Sequence, residues 1–337
     1  MIRWCPSTRV ESVDVVGELT AITRVPGMTE QLSDPWTGLS NNKRFAGYLY
    51  AATRWRLLPP VVGHYLRLPP PVYYRLPALG ACLLLLLGTA YAHKLGGAPA
   101  AWLAALALAG STPWLTSVEF VQFDGWMWSL LLIATFSPRK LTSWGAACLG
   151  PWVDERFVLF YPLALVIRWA VYREYPWREA SGVAIYALTR LVAIPLGDPG
   201  TGQLSLIMRG WTPGWCAVGW AIGWRLGWVL LALAAWKLWR ALPSRHWMPL
   251  ALTVFGTSAA ALLAVDYTRT AAGLAPLAVF GAARLPRPLR AVALCLVAAN
   301  FALPYWHQYW SSFAPVLSIL SPPPGTWIMP FAMPPIT

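Results

Sequence analysis

The chain has 337 residues, of which 57% are hydrophobic and 12% charged, with 22 Trp and a formal net charge of +13. A water-soluble globule of this length needs more polar surface to cover it, so the composition excludes an ordinary soluble enzyme and makes lipid part of the solvent. Nucleic acid is excluded as a partner, because the bases stand singly or in small groups beside apolar runs, with no aromatic-interleaved basic stripe.

The predicted class is an all-α integral membrane protein in one helical body, with about eight to eleven transmembrane helices, several of them short or broken. Residues 1–40 mix acids, bases, Gly and Thr without periodicity and read as a polar N-terminal tail. Residues 41–75 alternate aromatics with Arg and break at Pro59-Pro60 and Pro69-Pro70-Pro71, the pattern of an amphipathic interfacial segment. A polytopic domain follows over 76–306, with apolar stretches at 76–91, 98–115, 125–136, 141–150, 157–167, 182–196, 215–236, 247–265, 270–283 and 289–303. Residues 307–337 read as a Pro- and Trp-rich C-terminal tail. No cleavable signal peptide is visible, since no charged n-region leads into an apolar h-region at the start.

Orientation follows the short basic joints at 138–140, 168–178, 237–245 and 284–290, which are the cytoplasmic candidates. Asp154-Glu155-Arg156 and Asp266-Tyr267-Thr268-Arg269 then become the tips of two hairpins, and the acids Glu119, Asp124, Asp154, Glu155, Asp198 and Asp266 emerge on the non-cytoplasmic face. Glu174 and Glu179 stay with the cytoplasmic bases. Parity also puts the basic 41–75 segment outside, against the positive-inside tendency, so one helix is misread or a span precedes it.

Charges between apolar helices are paired, cavity-facing or functional, because an unpaired one costs several kcal/mol. The two tips are the strongest cases, and an ion pair within each, such as Asp266 with Arg269, is the structural alternative. Asp124 opens the stretch at 125–136, where it either caps the helix or acts as a general base on an acceptor hydroxyl. Asp124 and Glu155 are the catalytic candidates. Glu119, Asp154, Arg156, Arg209, Asp266 and Arg269 are the substrate-binding ones, the arginines because guanidinium matches phosphate oxygens in bidentate fashion. The alternative role for such a carboxylate is to hold a divalent cation against a diphosphate donor.

Other motifs carry less. The loop GDPGTGQLSLIMRGWTPGW contains no G-x-x-x-x-G-K-[ST] and follows no strand, so it reads as a membrane-surface loop. The five cysteines are scattered without C-x-x-C spacing, and the four histidines lie far apart, so neither a disulfide framework nor a metal site is indicated.

The succession Phe123-Asp124 before a short apolar helix, Arg139-Lys140, Leu149-Gly150, and Asp154-Glu155-Arg156 before FVLFYPLALV resembles bacterial polytopic membrane proteins related to GT-C glycosyltransferases. Asp266-Tyr267-Thr268-Arg269 before LAPLAVF is similar to their acid-x-x-Arg element, and Asn42-Lys43-Arg44-Phe45 to Leu57-Leu58-Pro59 resembles the amphipathic stretch after their first helix. The likeness spans residues 41–290. It departs from the group in lacking the first helix, in reading DER rather than NRE at the tip, and in having no clear Asp-x-Asp. The resemblance implies transfer of a sugar from a polyprenyl-phosphate donor to an acceptor at the outer face of a bacterial plasma membrane. It also implies a catalytic carboxylate in the first non-cytoplasmic loop, for which Asp34 in LSDPW is the nearby candidate. The competing expectations are a secondary transporter, for which no inverted repeat is found, and a non-catalytic membrane assembly protein.

Overall fold

A computed structural model describes residues 31–36, 56–73, 75–111, 114, 123–174, 176–193, 213–243, 267–303, 305–309 and 312–317. Its helices are α1 (Leu58–Tyr65), α2 (Pro70–Tyr73), α3 (Leu76–Gly96), α4 (Ala98–Ala109), α5 (Asp124–Phe136), α6 (Lys140–Val153), α7 (Arg156–Tyr172), α8 (Trp177–Ala193), α9 (Pro213–Trp224), α10 (Gly227–Ala241), α11 (Tyr267–Thr270), α12 (Ala275–Arg284) and α13 (Arg287–Ala299). A 3-10 turn at Ala271–Leu274 joins α11 to α12, so 267–284 runs as one bent helical rod.

Among the described residues the fold is all-α apart from one short hairpin. Tyr305–Tyr309 (β1) pairs antiparallel with Ser312–Leu317 (β2), Tyr309 opposite Ser312. The pair takes in the start of the stretch expected as a Pro- and Trp-rich tail over 307–337, of which 318–337 lie outside the described residues: Tyr, Trp and Phe at strand positions favour a pleated pair, and Pro315 is tolerated because a two-stranded sheet consists only of edges.

Helix α3 turns back on α4 and α5 on α6, whereas α3 runs alongside α5 and α12, and α6 alongside α8, in the same direction. The helix ends therefore gather into two sets. At one end, Arg290 donates to the carbonyls of Gly96, Ala283 and Leu285, Arg173 to that of Ala241, and Lys140 pairs with Glu174. At the other lie the starts of α3, α5, α7 and α10 and the ends of α4, α6 and α13. There Trp126 donates to the Leu76 carbonyl, Trp114 to that of Ala81, and Arg225 to those of Leu303 and Gly110. The cytoplasmic candidates Lys140, Arg173, Arg240, Arg284 and Arg290 all fall at the first end.

One helical run, Pro70–Gly96, is long and apolar enough to cross a membrane, and Ala217–Trp224 with Gly227–Ala241 passes the same test as a pair bent by 96°. Among the described residues that makes one candidate span, or two with the bent pair, against the eight to eleven expected. The reason is length: α5 has 13 residues and α6 has 14, which at 1.5 Å per residue reach roughly 20 Å of a hydrocarbon core about 30 Å thick. Apolar side chains nonetheless face outward along several helices, including Leu79, Leu86, Trp102, Leu149, Ile185, Leu188, Val229 and Val292. Where helices touch, small residues line the contact. A Cβ on Gly125 would collide with the backbone of Gly80 and Ala81, and one on Gly281 would meet the Ala234 side chain at 2.6 Å.

The apolar run at 215–236, expected as a single stretch, is broken. Arg225 has φ 48° and turns the chain between α9 and α10, and its guanidinium donates to main-chain carbonyls. Buried Asn300 pins the bend, accepting the Leu226 N–H at 2.9 Å and donating to the Trp224 carbonyl at 3.0 Å. The polar tail expected over 1–40 is also partly packed. Leu32 is buried and its carbonyl lies 3.0 Å from His64 Nδ1 on α1.

Candidate functional site

The described residues carry two clusters of buried charge at opposite ends of α7. The larger is a ladder of alternating sign, Arg269, Asp124, Arg156, Asp154, Arg56 and Glu155, at the end of the bundle away from the basic joints.

Local structure explains each position. Asp124 is the first residue of α5, but no side chain caps that helix, and its carboxylate points to partners in other segments. Arg156 Nη2 approaches Asp124 Oδ1 at 2.6 Å, while Arg269 donates through Nε to Oδ2 at 2.6 Å and through Nη2 to Oδ1 at 2.8 Å. The capping alternative for Asp124 is therefore corrected: two guanidinium groups occupy both oxygens. Asp154 ends α6 in extended backbone, three residues after Pro151. Its Oδ1 accepts both the main-chain N–H of Arg156 at 3.0 Å and Arg156 Nε at 2.9 Å, and its Oδ2 accepts Arg156 Nη2 at 2.8 Å. One carboxylate thus satisfies a free N–H at the start of α7 and fixes the arginine that follows.

Three close approaches hold the ladder in register. Gly125 lets α5 meet α3, Gly150 makes room for the Phe157 ring at the hairpin turn, and Gly273 does the same for the Phe160 ring, which seats the α11 rod against α7. Asp124 and Asp154 side chains are each 2% exposed. Burial alone would raise the pKa of Asp154, which lies in the turn between α6 and α7, but the charges of Arg156 and Arg56 outweigh it and hold the group below the usual carboxylate range.

The far end of the ladder is different. Arg56 Nη2 contacts Asp154 Oδ2 at 3.0 Å, but its contacts to Glu155 are longer, 3.3 Å from Nη2 to Oε1 and 3.4 Å from Nε to Oε2. Glu155 is 44% exposed and Arg56 20%. The ladder is closed where it is buried and loosely held where it meets solvent.

The second cluster sits at the basic end. Arg168 Nη2 pairs with Glu179 at 2.9 Å and its Nη1 donates to the Ser137 carbonyl at 2.6 Å, so it joins α7, α8 and the end of α5. Tyr161 donates to the Glu179 carbonyl, and the Arg168 guanidinium lies over the Tyr172 ring at 4.9 Å. Nearby, exposed Lys140 bonds Glu174 at 2.7 Å, and that hydrogen bond holds Glu174 below the ordinary carboxylate range.

Of the residues singled out in the sequence, Asp124, Asp154, Glu155, Arg156 and Arg269 are thus brought together. Asp34 is exposed, and its Oδ1 accepts the Trp36 N–H at 3.0 Å. Glu119, Arg209 and Asp266 lie outside the described residues, and with Asp266 the expected Asp266–Arg269 pair. Arg56 is the member that sequence reasoning missed. Its signal, the second arginine of Arg54-Trp55-Arg56 immediately before Leu57-Leu58-Pro59, reads equally as interfacial anchoring. Among the described residues no three His, Cys, Asp or Glu side chains converge as metal ligands, and the ladder's carboxylates are turned to arginine. No protein-family model, no curated protein and no solved structure matches the chain.

Proposed function

We propose that the chain is a multi-pass, GT-C-like membrane glycosyltransferase that moves a sugar from a polyprenyl-phosphate donor to an acceptor at the non-cytoplasmic face. The observation that carries this reading is the ladder: three guanidinium groups and three carboxylates gathered at the end of the bundle opposite the basic joints, with one carboxylate reachable from solvent. Bases at one end fit a cytoplasmic face, and the outward apolar side chains fit lipid. A lipid-linked donor suits such a body, since its tail enters from the bilayer while its phosphate stays wet.

Within this reading Glu155 is the general base. Asp124 and Asp154 have both oxygens engaged by arginine, so neither is available to take a proton, whereas Glu155 is half-exposed and loosely held. The acceptor O–H gives its proton to Glu155 as its oxygen bonds the anomeric carbon, and the bond from that carbon to the phosphate oxygen breaks, releasing polyprenyl phosphate. Arg269, Asp124, Arg156 and Asp154 act as positioning residues. A divalent cation on the donor phosphate would be brought by the substrate.

The test is turnover of polyprenyl-phosphate sugars by the purified chain in lipid, wild type against Glu155→Gln. A fall of about 10²–10⁴-fold with an unchanged melting curve is expected for loss of a general base; unchanged turnover removes Glu155 from the role. A second reading, a non-catalytic assembly protein, is favoured by the closure of the buried part of the ladder, which is what helix packing alone requires. It predicts no turnover with any donor. Transport is less well supported: the described charge clusters lie at the two ends of α7, roughly 18 Å apart, and not between them.

A further inference from the structure

We propose that Arg56 is a phosphate-binding residue whose ligand displaces Glu155, so that arrival of the donor phosphate itself frees the carboxylate that accepts the proton. The inference rests on the glycosyl-transfer reading for the identity of the donor. It follows from an asymmetry along the ladder. Each other member is held by at least one contact between 2.6 and 3.0 Å, but the two contacts joining Arg56 to Glu155 measure 3.3 and 3.4 Å. The pair is also the only rung with solvent on both partners, at 20% and 44% exposure.

When Glu155 swings away, Arg56 does not lose its place, because Nη2 keeps Asp154 Oδ2 at 3.0 Å. What is vacated is the Nε–Nη2 edge of the guanidinium, the planar fork that receives two phosphate oxygens side by side. Arg156 and Arg269 are poor alternatives: both are nearly buried, and opening either would take from buried Asp124 one of the two arginines that neutralise it. The phosphate also has the stronger claim on Arg56 as reaction proceeds. A sugar phosphodiester carries one negative charge, whereas the departing monoester carries about −1.5 to −2, so attraction rises as the bond breaks.

The apolar surroundings favour a lipid-borne phosphate. Arg56 stands two residues before α1, whose Val62 and Tyr65, with Leu66 just beyond, are exposed, and Arg67 follows them. Exposed apolar side chains flanked by arginines suit headgroup depth, where a prenyl chain can rest on the helix with its phosphate at Arg56.

The experiment is binding of farnesyl phosphate, and separately of inorganic phosphate, to the purified full chain in detergent, for wild type, Glu155→Gln and Arg56→Lys, with melting curves to verify folding. Removing the internal competitor is expected to tighten farnesyl phosphate roughly fivefold, the scale of a half-exposed ion pair. Losing the fork while keeping the charge is expected to weaken it roughly tenfold. Unchanged or weaker binding by Glu155→Gln overturns the exchange, and equal affinity for inorganic phosphate overturns the lipid source. Tightening by Glu155→Gln without sugar turnover by the wild type would leave the exchange standing and remove the glycosyl-transfer reading. Turnover without that tightening would do the reverse.

Discussion

Replacing Asp124 by Asn changes almost no volume but removes the charge that two buried arginines share. Arg156 retains Asp154, whereas Arg269 loses the carboxylate that holds it at 2.6 and 2.8 Å. The ladder passes from three charges of each sign to an excess of one positive. Breaking a buried pair from one side costs about 3–5 kcal/mol, against a total stability of about 5–15 kcal/mol for a typical folded chain. Glu155→Gln removes the same charge from the half-exposed rung and is expected to cost about 0–1 kcal/mol. The assay is denaturant unfolding of purified protein in matched detergent for both variants, for Asp124→Leu and Arg269→Leu singly, and for the double variant that combines those two changes. Because the double change withdraws the charges together, it is expected to cost less than the sum of its single changes. An Asp124→Asn variant within about 1 kcal/mol of wild type, or a strictly additive double variant, would refute the pairing argument.

Three further outcomes can be checked alongside it. Gly125→Ala places a methyl group against the backbone of Gly80 and Ala81, so a loss of about 1–3 kcal/mol is expected in the same unfolding assay. Gly145→Ala, whose Cβ meets nothing within 4 Å in the middle of α6, is expected to gain about 0.5–1 kcal/mol. Glu174 has its folded-state pKa lowered by Lys140, so the pair contributes only above the ordinary glutamate pKa and is lost as pH falls through the lower folded value. Both partners are exposed, so Lys140→Ala should leave the melting temperature at pH 7 unchanged, and a clear drop would show that this rim is tighter than its exposure implies.

The helices were legible because hydropathy is a property of one stretch of chain at a time. Apolar runs at 125–136, 141–150 and 157–167 lie within α5, α6 and α7 or differ from them by a few end residues, and the charged DER tip is where the α6–α7 turn forms. Closure in space is not written locally. Nothing around Asp124 indicates that Arg269, 145 positions later, will occupy its carboxylate, nor that Arg56, 99 positions before Glu155, will close the other end. Arg225 shows the same limit at smaller scale: a single base inside the run 215–236 looks tolerable in a straight span, until the carbonyls that receive it are known to lie just past α4 and beyond α13. Asp34 illustrates the converse, a carboxylate chosen by resemblance whose described role is to hold the Trp36 amide.

The bend between α9 and α10 also bears on the order in which the chain is made. Its Leu226 N–H and Trp224 carbonyl are both satisfied by the side chain of Asn300, 74 and 76 residues downstream, and Arg225 finds its Leu303 carbonyl 78 residues on. A ribosome delivers α9 and α10 well before any of these partners exists. During that interval the Leu226 N–H and Trp224 carbonyl lack the side chain that joins them in the fold, and of the two carbonyls that receive Arg225 only that of Gly110 has been made. The turn after α13 therefore does more than complete the bundle: Asn300 and Leu303 supply, late in synthesis, partners that fix the angle between α9 and α10.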